Sequence, residues 1–176
     1  KIMRRGLFVA VWLSAAAVGC QAAETFTGAA KITDGDSIEI GLTRIRLFVI
    51  DAPEGAQTCR DQTGASWRCG DAAAAKLREL IGSSSVTCTR VETDTYGRAV
   101  SVCKKGSTDL GAAMVSAGYA LAYRHYSNDY VRNEDEARNA KRGVWRGPFE
   151  KPWDYRRGSS GAQAPPASGQ RSVDVS

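Results

Sequence analysis

The nine residues Arg46-Leu47-Phe48-Val49-Ile50-Asp51-Ala52-Pro53-Glu54 restrict this chain more than any other stretch. A cation leads into four apolar residues, then a carboxylate, an alanine, a proline and a second carboxylate. Residues 47–50 read as a strand buried on both faces. Pro53 cannot donate to a ladder, so the strand ends just before it. Asp51 and Glu54 therefore fall at the mouth of a rigid element, where functional groups are held best. Arg46 beside a buried strand needs an anionic partner, because an unpaired buried guanidinium is costly. A purely structural ion pair at a strand end uses the same residue types, so this stretch alone leaves both readings open.

The surrounding pattern supplies the fold. Residues 26–32, 37–40 and 43–50 read as three strands, with Asp34-Gly35 and Gly41 as turn residues. Residues 71–81 predict a helix capped by Asp71 and stopped by Gly82. Residues 86–92 and 98–104 read as two further strands around the loop Asp94-Thr95-Tyr96-Gly97. A second helix spans 110–117, with Thr108 or Asp109 as cap and Gly118 as stop. A third spans 129–141, between Ser127 or Asn128 and Gly143. Three strands, a helix, two strands, then helices is the order of a five-stranded Greek-key β-barrel with three helices, an α+β fold. At 176 residues the chain suffices for one domain with a substantial core, and 43% apolar with 24% charged residues is a globular composition.

The two ends differ from this body. Arg4 and Arg5 precede an apolar stretch over residues 7–18, and small residues follow, the layout of a secretory signal peptide. Residues 1–23 are expected to be that leader, cut near Ala22. Val18-Gly19-Cys20 also resembles a lipoprotein box that would lipidate Cys20, but Ala17 fits its first position poorly. An uncut membrane anchor is the other alternative, disfavoured by the short apolar run. Lys1, Arg4 and Arg5 lie in the leader, so the formal charge of +5 falls to +2 without it, too mild to announce a nucleic-acid binder. Residues 158–176, rich in Gly, Ser, Ala and Pro, read as a disordered tail, leaving residues 24–157 as the domain.

Four cysteines remain after the leader, an even count that in an exported chain reads as two disulfides. Cys88 and Cys103 are equally far from the middle of the Asp94–Gly97 loop, so a hairpin in that register sets them opposite each other. Cys59 and Cys69 then close the loop between them. A zinc site is disfavoured, since no Cys-x-x-Cys pair is present.

Asp34, Asp36 and Asp51 are hard oxygen donors at a turn and a strand end, which suits calcium or magnesium. Asp34-Gly35 alone is equally a plain hairpin turn. Arg46 and Arg98 have the chemistry of a clamp on phosphate, although Arg98 at a hairpin tip also reads as a simple surface cation. His125 is the single histidine, and no Ser-His-Asp set assembles around it.

Three stretches together carry a resemblance: Thr33-Asp34-Gly35-Asp36-Ser37, the Arg46 to Glu54 run, and Asp94-Thr95-Tyr96-Gly97-Arg98. In order and spacing they resemble the signature stretches of the staphylococcal nuclease (thermonuclease) family, and Gly147-Pro148-Phe149-Glu150-Lys151-Pro152-Trp153 resembles its exported bacterial members. The resemblance implies an OB-fold phosphodiesterase that uses Ca2+ and cuts DNA and RNA. It implies that Asp36, Asp51 and the main-chain carbonyl of Ala52 hold the metal, while Asp34 acts on it through a water. Glu54 would be the general base, and Arg46 and Arg98 would stabilise the phosphate. Tyr126, and less directly Tyr123, would contact substrate, with single strands preferred. Ser37 and Ala52 stand where the family usually has threonine. A secreted or periplasmic monomer is expected, with no stable protein partner and no membrane contact after leader removal unless Cys20 is lipidated. The alternatives are a catalytically inactive OB-fold module that holds single-stranded nucleic acid, and an envelope scaffold.

Overall fold

The computed structural model describes residues 22–161. In chain order it contains β1 (Thr25–Gly28), β2 (Ala30–Ile32), β3 (Ser37–Ile40), β4 (Thr43–Leu47), β5 (Ile50–Asp51), β6 (Cys59–Arg60) and β7 (Ser66–Trp67). Then follow α1 (Cys69–Ile81), β8 (Val86–Thr93), β9 (Ala99–Lys105), β10 (Thr108–Asp109), α2 (Leu110–Ser116) and β11 (Leu121–Ala122). The described residues finish with α3 (Val131–Asn139), a 3-10 turn (Gly143–Arg146) and α4 (Pro152–Gly161).

The main sheet runs in the order β1-β8-β9-β4-β3-β2, with β10 added to β9. Only Ala29 separates β1 from β2, so both edges of this sheet come from one run of chain and the sheet nearly closes on itself. All pairings are antiparallel except β4 with β9, which runs parallel in the register Ile45↔Ala99, Arg46↔Val100, Leu47↔Ser101. This is the expected α+β Greek-key barrel. Ile38, Ile45, Leu47, Val86 and Cys88 fill it, and Leu77, Ile81, Leu110 and Met114 close it from α1 and α2.

Among the described residues four α-helices are present rather than three. Pro152 is the first residue of α4, where its fixed φ and missing N–H cost nothing. That helix runs to Gly161, past the point where the sequence suggests a disordered tail; the rest of that tail, and the leader with Cys20, lie outside the described residues. Asp71 is not the cap of α1, which begins at Cys69; it sits in the first turn and pairs with Arg68. The third helix is shorter than expected, and neither Ser127 nor Asn128 caps it. Asp109 does cap α2, accepting from the Ala112 amide at 3.0 Å.

The strand expected over residues 43–50 breaks at Phe48-Val49. Val49 has φ 48°, a left-handed conformation that is strained by roughly 1–3 kcal/mol for such a residue. Backbone bonds hold it there: Phe48 donates to the Ser101 carbonyl, and Tyr123 donates to the Val49 carbonyl, both at 2.9 Å. The kink turns Ile50 and Asp51 off the barrel and pairs them with β11. Glycines allow two close approaches nearby. A Cβ on Gly35 would meet those of Ala52 and Ala73 at 2.7 Å, and one on Gly70 would lie 1.8 Å from the Glu54 carbonyl oxygen.

Cys88 and Cys103 face each other across the hairpin and are bonded, as are Cys59 and Cys69. The second bond ties β6 to the start of α1 inside a small cluster with Leu121 and Val144. The Cys88–Cys103 bridge closes a loop of 15 residues. Replacing both cysteines by alanine is expected to lower the unfolding free energy by about 3 kcal/mol in the chain-entropy account. Denaturant titration should show this with the native circular dichroism retained, since the barrel core does not depend on the bridge.

Candidate active site

The kink, the β2–β3 turn and β4 bring three charged side chains into contact at the barrel mouth. Arg46 Nη2 on β4 lies 2.8 Å from Asp51 Oδ1 and 3.0 Å from Asp36 Oδ2. Asp36 is 5% exposed and Asp51 is wholly buried. The Asp36 amide donates to Asp34 Oδ1 at 3.0 Å, so Asp34 shapes the turn that presents Asp36. Ser37 Oγ donates to Asp36 Oδ1 at 2.9 Å, and the Ala52 amide donates to Asp36 Oδ2 at 3.3 Å. Burial pushes the Asp36 carboxyl up to about 6; Arg46 opposes this and Asp34 adds to it. Burial works against the charge on Arg46, but Asp36 and Asp51 outweigh it and raise its proton affinity.

Arg98 stands on the facing hairpin. Its Nε donates to Asp94 Oδ2 at 2.7 Å, while Asp94 Oδ1 accepts from the amides of Tyr96 and Arg98, each at 2.9 Å. Arg98 Nη1 also reaches Ser37 Oγ at 3.4 Å, which links the hairpin tip to the turn carrying Asp36. Partial burial raises the Asp94 carboxyl, but the bonds from Arg98 prevail and hold it below its ordinary value.

A cavity of about 580 Å³ opens between these elements, walled by Asp34, Asp36, Arg46, Ala52, Glu54, Arg98, Tyr123 and Tyr126. Asp51 is not on its wall and lies just behind it. The Tyr123 and Tyr126 rings are 5.4 Å apart, Trp153 is 5.7 Å from Tyr123, and Tyr126 is largely exposed. His125 lies edge-on to Tyr126, away from the carboxylates, and lines a neighbouring cavity instead. The Glu54 side chain is 38% exposed, as a group meant to meet solvent should be. The expected site residues thus converge on one place.

Two residues that contact the site were not singled out by the sequence. Arg156, on α4, forks onto Asp51: Nη1 reaches Oδ1 at 3.0 Å and Nη2 reaches Oδ2 at 2.7 Å. The same Nη1 reaches Glu54 Oε1 at 2.6 Å. The bond to Asp51 raises the proton affinity of Arg156 above its ordinary value, against burial and with help from Glu54. Gln57 is fully buried; it accepts from the Glu54 amide at 3.1 Å and donates to the Glu150 carbonyl at 2.7 Å, tying the turn after Asp51 to the approach of α4. Pro152 was the available signal for a helix there, but nothing local points Arg156 at residues more than a hundred positions away.

Asp36 and Asp51 offer hard anionic oxygens to a cation; among the described residues no cluster of three or more His, Cys, Asp or Glu forms a metal site. Comparison with known proteins agrees with the geometry. The family model for the staphylococcal nuclease homologues matches residues 44–147. The succinoglycan biosynthesis protein ExoI of Rhizobium meliloti is 36% identical over 129 residues, covering 71% of this chain and 67% of that protein. A micrococcal nuclease of Shigella flexneri is 33% identical over 150 residues, covering 75% and 80%. An uncharacterized endonuclease of Haemophilus influenzae is 30% identical over 123 residues, covering 65% and 63%. Asp34, Asp36, Ser37, Trp153 and Arg156 fall outside the matched span, and Arg46, Asp51, Ala52, Glu54, Arg98, Tyr123 and Tyr126 fall within it.

The raised Asp36 carboxyl has a sign that can be measured. Between about pH 4 and pH 6 the folded chain keeps a proton that the unfolded chain has released, so this group favours folding in acid and the benefit fades as pH rises. Asp94 acts oppositely: its lowered carboxyl stabilises the fold above its ordinary value near 3.8 and is lost on further acidification. Melting temperatures in divalent-free buffer should therefore carry a component that declines from about pH 4 to pH 6, and Asp36→Asn should remove it.

Proposed function

The chain belongs to the staphylococcal nuclease family and is a nuclease hydrolase, and from that premise we propose that it is a calcium-dependent phosphodiesterase that cuts DNA and RNA, single strands preferentially. The observation that carries the proposal is the convergence of Asp36, Glu54, Arg46 and Arg98 on one cavity, with the buried carboxylate of Asp51 paired to Arg46 behind its wall.

The donor set fits a hard cation. All candidate ligands are oxygens; the guanidinium groups of Arg46 and Arg156 both sit on Asp51 and would have to share it with the metal. Burial also disfavours the ionised form of Asp36, so a nearby cation would relieve that cost. Asp36, Asp51 and the main-chain carbonyl of Ala52 would hold calcium, which when bound supplies a Lewis acid and a template for the phosphate. Asp34 holds the turn that presents Asp36.

The remaining roles fall to the chain itself. Glu54 takes a proton from the attacking water, whose oxygen forms the new bond to phosphorus as the bond to the leaving sugar oxygen breaks; the sugar oxygen keeps the electron pair and takes its proton from solvent water. Arg46 and Arg98 neutralise the charge that grows on the phosphate oxygens. Arginine is effectively always protonated, so Arg98 serves as a charge stabiliser rather than a proton donor. Tyr123 and Tyr126 line the same cavity, and aromatic rings there suit bases that are not already stacked in a duplex. Export to the periplasm or beyond is part of the same proposal, supported by the leader-like start and by two disulfides, which persist in oxidising compartments.

The test is turnover on a single-stranded oligonucleotide with calcium and with chelator. The parent should cut only with calcium. Glu54→Gln should lose about 10²–10⁴-fold in turnover while melting like the parent. Arg98→Ala should lower kcat more than substrate affinity, and Arg98→Lys should restore part of it, because an ammonium cannot fork onto two oxygens. Full cleavage after exhaustive metal removal would reject the cation mechanism. Tight binding without cleavage would establish the inactive binding module instead.

A further inference from the structure

The C-terminal helix meets the site in a fixed pose. Trp153 packs into the cluster of Cys59, Cys69, Leu121 and Val144, and Pro152 is buried. Gln57 holds the Glu150 carbonyl at 2.7 Å, just before the helix starts. Arg156 follows Trp153 by three residues, one helical turn later, so the anchoring of Trp153 decides where its guanidinium goes.

Among the described residues, that guanidinium contacts two carboxylates. It forks onto both oxygens of the wholly buried Asp51, at 3.0 and 2.7 Å, and reaches Glu54 at 2.6 Å. Among the described residues, Arg156 is the only partner of the Glu54 carboxylate. A half-exposed glutamate has several rotamers, and one charge-assisted bond of this length selects among them. The planar fork fixes direction as well as distance, which a lysine would not.

We propose that Arg156 is a positioning residue of the hydrolytic site: one guanidinium, delivered by the C-terminal helix, ties Glu54 to Asp51 and so sets the base relative to the carboxylate that holds the cation. The proposal rests on the nuclease reading of the same site. It carries a cost as well, because a fixed positive charge on Asp51 opposes a divalent cation seeking the same oxygens.

The two consequences separate positioning from a merely structural role. The experiment compares the parent, Arg156→Gln and Arg156→Lys in three measurements: calcium binding by calorimetry without nucleic acid, kcat and KM on a single-stranded oligonucleotide at saturating calcium, and thermal melting. Arg156→Gln should bind calcium more tightly than the parent, and should lose roughly 10–100-fold in kcat, the usual effect of removing a group that orients a metal-site ligand, with KM little changed. Arg156→Lys should bind calcium as weakly as the parent, since the charge remains, and recover only part of the kcat. Should Arg156→Gln melt early, the lysine variant carries the same kcat-against-KM split. A rise in KM with kcat kept would make Arg156 a substrate contact and overturn the proposal. Calcium affinity and kcat both unchanged in Arg156→Gln would overturn it too. A parent chain that does not cleave defeats the nuclease reading and this proposal with it, whereas a cleaving parent with an unaltered variant defeats this proposal alone.

Discussion

Arg46 between Asp36 and Asp51 is the contact on which the other parts of the site depend. Two carboxylates this deeply buried would repel each other and lose their hydration, and a single guanidinium about 3 Å from both makes their closeness tolerable. Removing one member of such a group typically costs about 3–5 kcal/mol, because a buried charge is left uncompensated. The surrounding fold serves this contact. β4 is held between β3 and β9, which fixes Arg46. Gly35 lets the turn bearing Asp36 press against Ala52 and α1. The left-handed Val49 swings Asp51 out of the barrel sheet and behind the cavity wall.

Charge at the mouth is arranged in layers. Deepest is Asp51, shared by Arg46 and Arg156. Next comes Asp36, ionised only at the expense of its burial and therefore receptive to further positive charge. Outermost is Glu54, whose side chain is 38% exposed, while Arg98, as sheltered as Arg46, lines the same cavity from the facing hairpin. The gradient from dry carboxylates to a wetter glutamate suits the proposed reaction, in which anionic phosphate approaches from solvent and is neutralised as its charge grows.

Much of this was legible in the sequence because it is local. Asp51-Ala52-Pro53-Glu54 announces a strand end with two carboxylates, and the symmetry of Cys88 and Cys103 about the hairpin loop fixes their register. The missed features arise from contacts between distant segments. Phe48 and Val49 have every local preference for strand, and bonds to Ser101 and Tyr123 overrule it. Asp71 looks like a helix cap, yet the Cys59–Cys69 bond and the close seat of Gly70 on Glu54 start α1 two residues earlier. Arg156 sits beside a Gly- and Ser-rich run that reads as tail, and its importance comes from partners 102 and 105 residues away.

The most direct measurement of the central claim is turnover of single-stranded DNA by Arg46→Lys at saturating calcium, beside its melting curve. Lysine keeps the charge but is a point donor that cannot serve Asp36, Asp51 and an incoming phosphate from one plane. The account predicts a chain that melts close to the parent and turns over roughly 10²–10³-fold more slowly, the usual effect of losing a preorganised donor. A lysine variant that folds and cleaves at the parental rate would contradict it, for the bridge between Asp36 and Asp51 would then not be what organises the site.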